Sequence, residues 1–207
     1  MKPEGYFASD RAALVRQLPH PIGRVLDVGC GEGRTAESLR QAGATWITGI
    51  DLEPEAAAVA AESYDDVRTG AVESELDSLD GPFDTILLYD VLEHLVDPWD
   101  VLRRLHAVVA PEARAHVSIP NARHWTLLRD LALRGTFGYT KAEHRDITHL
   151  RWFTRSDLVG LLESTGWAVD GVDFGALRPA SRVAARLTRN LSAELLAYQL
   201  SAIAHRR

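Results

Sequence analysis

The chain of 207 residues is long enough to build one domain with a substantial core. Hydrophobic residues make up 46% and charged residues 25%, as in ordinary globular proteins. No apolar run approaches the ~18 residues of a membrane helix, and residues 1–4 do not begin a signal peptide, so we expect no membrane partner. The single cysteine, Cys30, cannot form an internal disulfide, which favours a reducing, cytoplasmic location.

The net charge of −6 is unevenly distributed along the chain. Residues 1–120 hold 10 basic and 21 acidic residues, whereas residues 121–155 hold seven basic and three acidic ones. The overall sign argues against a nucleic-acid partner, because such binding draws on neutralised phosphates. The basic excess of the later segment either accommodates an acidic substrate or is a solvated face.

Residues 25–33 read VLDVGCGEG, an apolar strand pattern that breaks into alternating glycines. Glycine adopts positive φ and lets the backbone approach a ligand, so we predict a strand, a tight turn and a helix, as in open sheets that bind nucleotides. However, a carboxylate at Asp27 would repel a pyrophosphate, and the glycine spacing is not G-x-G-x-x-G. The turn therefore favours a cationic ligand over a dinucleotide.

A second acid, Asp51, ends the strand predicted over residues 46–51, 18 residues beyond Gly33. An acid at about this offset can accept hydrogen bonds from both hydroxyls of a ribose. Together with Asp27 it indicates a phosphate-free nucleoside that carries a positive centre.

At this point the chain resembles the class I S-adenosylmethionine-dependent methyltransferases. The resemblance covers nearly the whole chain and is carried by residues 25–33, Gly49-Ile50-Asp51, Phe83-Asp84 and Leu92-Glu93-His94-Leu95. A bacterial subgroup, the methyltransferases of glycan and secondary-metabolite clusters and the MetW-like proteins, is suggested by Ser118-Ile119-Pro120-Asn121 and by residues 146–154.

The expected fold is α/β, a Rossmann-like, doubly wound, mostly parallel sheet of seven strands with the last one antiparallel. Alternating strand and helix patterns predict the doubly wound parallel sheet, and the resemblance implies seven strands with the last one antiparallel. The helix patterns fall at residues 10–18, 34–42, 55–63, 98–109, 155–164 and 180–189, and the strand patterns after the first at residues 46–51, 66–69, 83–89, 115–119, 167–173 and 197–205. Residues 1–207 are expected to form a single domain, with an irregular lid over residues 121–153 inserted after the fifth strand.

The resemblance implies a cofactor site for S-adenosyl-L-methionine at the carboxyl ends of the strands. Asp27 and the glycine loop would hold the methionine part, and Asp51 the ribose. The adenine would be flanked by Leu52, Ala71 and Val72, and the methyl group would lie above Tyr89 and Asp90. The expected cofactor-binding residues are Asp27, Gly29, Cys30, Gly31, Gly33, Asp51, Leu52, Ala71, Val72, Tyr89 and Asp90. Ala71 stands where the family often has an acid, so backbone groups would have to meet the adenine.

The catalytic residues are expected in the lid and beside the fourth strand. Transfer of a sulfonium methyl needs mainly an in-line approach, but a hydroxyl acceptor also needs a base or a metal. His149 as general base, oriented by Asp146 and accompanied by His94, is one hypothesis. The alternative is that these residues only fix the lid by hydrogen bonds.

A divalent metal ion is a further alternative. Asp90, Glu93 and His94 share one face if their turn is helical, and His149 would add a second imidazole. The set resembles the metal cluster of small-RNA 2′-O-methyltransferases and of ubiquinone-pathway O-methyltransferases. In the contrasting account, Glu93 pairs locally and His94 packs against the lid.

The sequence thus predicts a cytoplasmic methyltransferase that acts on a hydroxyl, or secondarily an amine, of a small metabolite or sugar. An acidic or glycosylated acceptor would match the basic segment. Two other functions stay open: a non-catalytic MetW-like partner protein, and a metal-dependent RNA 2′-O-methyltransferase. The sequence leaves the oligomeric state undetermined.

Overall fold

The computed structural model describes residues 11–141, 143–175 and 191–207. Their strands form one seven-stranded sheet with the order β3-β2-β1-β4-β5-β7-β6. The strands are β1 Gly23–Val28, β2 Ala44–Asp51, β3 Asp66–Thr69, β4 Phe83–Tyr89, β5 Val109–Pro120, β6 Trp167–Phe174 and β7 Gln199–Arg206. Strand β7 runs antiparallel to both of its neighbours, while the pairs among β1 to β5 are parallel. The expected α/β class and the antiparallel last strand are confirmed.

Eight α-helices are found in the described part of the chain. They are α1 Ala12–Val15, α2 Ala36–Gln41, α3 Pro54–Ala60, α4 Val72–Glu75, α5 Pro98–Arg104, α6 Trp125–Arg134, α7 Arg155–Ser164 and α8 Leu191–Leu196. Short 3-10 helices are Leu76–Ser78, Leu92–His94, Leu105–Ala107 and Glu143–Arg145. The helix predicted over residues 180–189 lies outside the described residues.

Strand β4 explains why the sheet is covered on both faces. Its residues are apolar almost without interruption, which predicted a strand buried on both sides. Leu87 packs on one side, in a cluster with Val25 and Ile47. Ile86 and Leu88 pack on the other, in a cluster that includes Trp167. Alternate side chains of one strand therefore enter two cores, which fixes the register of the central strands.

The lid begins at the carboxyl end of β5, as expected, but part of it is regular. The ten-residue helix α6 lies where the sequence predicted irregular structure. Its buried residues are Leu127 and Asp130, and its other large apolar side chains are exposed. The apolar pattern of this helix therefore does not mark an inward face, which is why the alternation of strand and helix patterns was lost here.

Gly33 offers a test of the glycine loop. Its φ is +72°, and a Cβ atom would lie 2.9 Å from Ala60 Cα, a backbone atom that cannot turn away. Gly33→Ala should therefore lower the free energy of unfolding by about 2–4 kcal/mol, measured by urea denaturation. The matched control is Gly160→Ala within α7, where a Cβ atom meets nothing within 4 Å. Equal stability of the two variants would contradict this account of the loop.

Candidate active site

The glycine loop is fixed to the neighbouring strand by backbone and carboxylate contacts. Gly29 N and Cys30 N both donate to Ile50 O, at 2.7 and 3.1 Å. Asp51 Oδ2 accepts from Gly31 N at 2.7 Å, and Asp51 Oδ1 accepts from Glu53 N at 2.9 Å. Gly29, Gly31 and Gly33 all have positive φ, which brings the loop backbone to the carboxyl edge of the sheet. Asp51 thus holds the loop in place besides being the predicted ribose ligand.

Asp27 lies fully buried behind this loop. Its Oδ2 accepts from Tyr64 Oη at 2.6 Å and from Thr35 Oγ1 at 3.0 Å. Burial raises the pKa of Asp27, while the Arg11 charge and the two hydroxyls act in the opposite direction. Its Oδ1 is buried and has no hydrogen-bond partner among the described residues. The acid therefore supports the loop from inside and leaves one acceptor oxygen unused.

Arg11 is a residue that the sequence interpretation missed. Its Nη1 donates to Gly29 O and its Nη2 to Tyr89 O, both at 3.0 Å. These carbonyls end two neighbouring parallel strands, so a single guanidinium bridges the carboxyl ends of β1 and β4. Burial raises the pKa of Asp90, and the Arg11 charge acts in the opposite direction. An arginine just before a short helix carries no spacing signal, and only the fold brings Arg11 here.

The predicted adenine side of the site contains one exposed and one buried residue. Leu52 follows the end of β2 and is 67% exposed, whereas Val72 begins α4 and is buried. Gly70 N donates to Asp51 O at 2.9 Å, which places Ala71 beside the tip of β2. Cys30 is buried in the loop, and burial raises the pKa of its thiol, which disfavours the nucleophilic thiolate form.

Tyr89 and Asp90 end the fourth strand in different ways. The Tyr89 ring is buried in the core, and its hydroxyl pairs with His116 Nδ1 at 2.8 Å. Only its carbonyl is directed to the site, toward Arg11. Asp90 has φ of +57°, a strained conformation for a residue with a side chain, and its Oδ1 accepts from Gln199 Nε2 at 2.7 Å.

Glu93, His94 and His149 form a compact cluster at the junction of β4 and the lid. One potential metal-ligand atom from each residue lies within 4.8 Å of those of the other two, and the two imidazole ring centroids are 4.8 Å apart. The lid reaches this point because Leu150 N and Arg151 N both donate to Glu93 O, at 2.8 and 3.1 Å. Sequence reasoning named all three residues, although 55 positions separate His94 from His149.

Glu93 is the least expected member of the cluster because it is almost completely buried. It is 2% exposed, and neither carboxylate oxygen has a hydrogen-bond partner among the described residues. Burial and the neighbouring Asp90 raise its pKa well above the usual value. A buried carboxyl without partners is costly unless a ligand or ion completes it.

His149 is held as a neutral imidazole. Burial, and then the charge of His94, lower its pKa to about 4, so it is unprotonated near pH 7. Asp146 was predicted to orient it, but Asp146 Oδ1 accepts from Thr148 N at 2.8 Å and from Thr148 Oγ1 at 2.7 Å. The backbone of His149 donates to Asp146 O at 3.1 Å. Asp146 therefore shapes the turn that carries His149.

The donor set of this cluster fits a divalent cation. A carboxylate with two unused oxygens and two imidazoles is a common combination of metal ligands in proteins. The neutral state of His149 is compatible with metal binding, because an imidazole nitrogen must be unprotonated to bind a metal. Asp90, the fourth predicted ligand, is not part of the group whose donor atoms converge, and Gln199 engages its Oδ1.

Comparison with known sequences gives a consistent picture. The family described as "Methyltransferase domain" matches residues 5–172. A protein of Xanthomonas euvesicatoria named ubiquinone biosynthesis O-methyltransferase is 31% identical over 182 residues, which cover 84% of this chain and 74% of that protein. A protein of the same name from Pseudomonas aeruginosa is 36% identical over 104 residues, 47% of this chain and 44% of its own length.

Solved structures share the fold at lower identity. An S-adenosylmethionine-dependent methyltransferase from Archaeoglobus fulgidus superposes with a TM-score of 0.69 at 20% identity, covering 98% of this chain and 97% of its own. Magnesium protoporphyrin IX methyltransferase from Synechocystis, solved with bound S-adenosylhomocysteine, has a TM-score of 0.62 at 22% identity, covering 97% of this chain and 82% of its own.

Proposed function

The chain belongs to the methyltransferase domain family. We propose that it transfers the methyl group of S-adenosyl-L-methionine to a hydroxyl of a small molecule. The observation that carries this proposal is the buried Glu93 carboxylate, unpartnered among the described residues and close to two imidazoles. Methyl transfer to a neutral amine or a thiolate needs no such group, whereas a hydroxyl must lose a tightly held proton. The name of the Xanthomonas relative, an O-methyltransferase, supports the same acceptor atom.

For the cofactor, we propose roles that follow the contacts at the strand ends. Asp51 accepts from the ribose hydroxyls with the lone pairs that its two backbone contacts leave free. The ammonium of the methionine part suits the carbonyls of Gly29 and Tyr89, which already bind a cation in Arg11. On cofactor binding, Arg11 gives up its hydrogen bonds to these carbonyls, and its guanidinium is placed to pair with the carboxylate of the cofactor.

At the acceptor side, the cluster prepares the hydroxyl for attack on the methyl carbon. A divalent ion held by Glu93, His94 and His149 would lower the pKa of the acceptor hydroxyl and fix its orientation. In the absence of an ion, the neutral His149 ring is the group that can take the proton. In both cases the lid turn set by Asp146 and Thr148 positions His149.

The direct test is a methyl-transfer assay with isotopically labelled S-adenosylmethionine and matched acceptors. A catechol, a phenol, a sugar, an aromatic amine and a thiol would be compared, and the products identified by mass spectrometry. We expect label on oxygen in the hydroxyl compounds. Label on nitrogen or sulfur only would contradict the proposal. Binding of S-adenosylhomocysteine by calorimetry without turnover on any acceptor would instead favour the non-catalytic MetW-like partner.

Removing metal provides a further prediction. If the cluster binds a divalent ion, exhaustive chelation should lower kcat at least about tenfold, and readdition of Mg²⁺, Mn²⁺ or Zn²⁺ should restore it. The charge of Glu93 is required in this account, so Glu93→Gln should abolish the metal-dependent recovery. Activity that survives chelation unchanged would exclude the metal and leave His149 as the base.

A further inference from the structure

Helix α6 of the lid turns Asp130 and Leu127 toward the protein, and its four other large apolar side chains face solvent. Asp130, which is 4% exposed, accepts from Arg145 Nη2 at 2.8 Å and pairs with Arg129 Nη2 at 2.8 Å. Arg145 Nη2 also donates to Thr126 O at 3.0 Å, so the polar side of the helix is fixed to the rest of the lid. A surface helix ordinarily has the opposite arrangement.

The outward side of α6 carries an apolar stripe. Trp125, Leu128 and Leu131 follow one another at a spacing of three, and they are 43%, 40% and 45% exposed. Residues three apart on a helix are neighbours on its surface, so the three side chains form one continuous stripe. Single exposed leucines are normal, but a continuous apolar surface marks an interaction site.

The lid as a whole concentrates exposed apolar side chains. Eight of the fourteen exposed large hydrophobic residues in the described part of the chain lie within residues 121–153. Besides the stripe they are Leu133, Tyr139, Ile147, Leu150 and Trp152. This share is far above the fraction of the chain that residues 121–153 make up. The exposed apolar side chains are therefore concentrated in the lid and are not a feature of the surface in general.

The same segment is positively charged in a protein of net negative charge. Residues 121–155 hold seven basic and three acidic residues and are therefore net positive, whereas the whole chain has a net charge of −6. The Arg129 guanidinium lies over the Trp125 ring at 5.0 Å, and the Arg134 side chain is 66% exposed. Tryptophan, leucine and arginine on one helix surface are typical of helices that lie in a membrane interface.

We propose that the α6 stripe, formed by Trp125, Leu128 and Leu131, docks the lid on an anionic lipid surface. A second copy of the chain is disfavoured as occupant, because a symmetric contact would bring two basic lids together. No helix of residues 11–141, 143–175 and 191–207 is long and apolar enough to cross a bilayer, and surface docking needs none. The proposal is independent of the methyl-transfer chemistry.

The experiment is co-sedimentation of the full chain with vesicles of phosphatidylcholine alone or with added phosphatidylglycerol. The wild type should bind the anionic vesicles, bind the neutral ones much less, and be released by high salt. Leu128→Ser with Leu131→Ser should lower the bound fraction about tenfold. The matched control, Val59→Ser, removes an exposed apolar side chain on α3 and should leave binding unchanged.

A second variant tests the charge without altering the stripe. Arg134→Gln with Lys141→Gln should reduce binding to anionic vesicles only. This variant still tests the proposal if circular dichroism shows that the double serine variant does not fold. Absence of wild-type binding, or equal binding by both double variants and the wild type, would overturn the proposal. A dimer seen by sedimentation velocity without lipid would also overturn it, if the double variant Leu128→Ser with Leu131→Ser dissociates that dimer.

Discussion

Replacing His149 with alanine should lower kcat by about 10²- to 10⁴-fold, the usual contribution of a positioned acid–base group. The dissociation constant of S-adenosylmethionine should change little, because His149 belongs to the cluster with Glu93 and His94 and not to the glycine loop. The measurement is steady-state turnover beside calorimetric cofactor binding. His205→Ala is the control, since that histidine is half exposed and pairs with Asp170 on the surface.

The pH dependence of turnover sharpens this prediction. Burial and His94 lower the pKa of His149 to about 4, so the unprotonated ring that either role needs is present at neutral pH. Activity should therefore not fall through protonation of His149 until the pH approaches about 4. A loss of activity centred near pH 6.5 that His149→Ala removes would contradict this environment for the ring. Unchanged turnover in His149→Ala would remove the residue from the mechanism altogether.

The second large effect is expected for Asp51. Asp51→Ala should raise the dissociation constant of S-adenosylhomocysteine by about 10²-fold or more, because charged hydrogen bonds to the ribose are lost at about 1.5–3 kcal/mol each. Loss of the contact to Gly31 N adds to the effect by loosening the glycine loop. Calorimetric titration measures the change directly.

Asp65→Ala is the matched control for this variant. Asp65 also supports β2, because its Oδ2 accepts from Ile47 N at 2.6 Å, but it lies away from the glycine loop. Its removal should lower stability while cofactor affinity stays within about threefold. Equal losses of affinity in the two variants would mean that Asp51 acts only by supporting the strand.

The ends of the first two strands and the glycine loop could be predicted well because their signals are local. An apolar strand that ends in an acid and continues into glycines predicts where β1 stops and how its loop turns, and Asp51 repeats the signal on β2. Positive φ at Gly29, Gly31 and Gly33 agrees with that prediction. The helix α6 could not be predicted in the same way, since four of its five large apolar side chains face outward and one of its two buried residues, Asp130, is an acid.

The sequence by itself determined the fold class and the order of acids along the strand ends, because both depend on short stretches of neighbouring residues. Only the tertiary structure decided which polar atoms are already engaged. Gln199 engages Asp90 Oδ1 from 109 positions away, whereas both oxygens of Glu93 lack a partner among the described residues. A partner as distant as Gln199 leaves no local pattern, so packing decided which of these two acids keeps its oxygens unengaged.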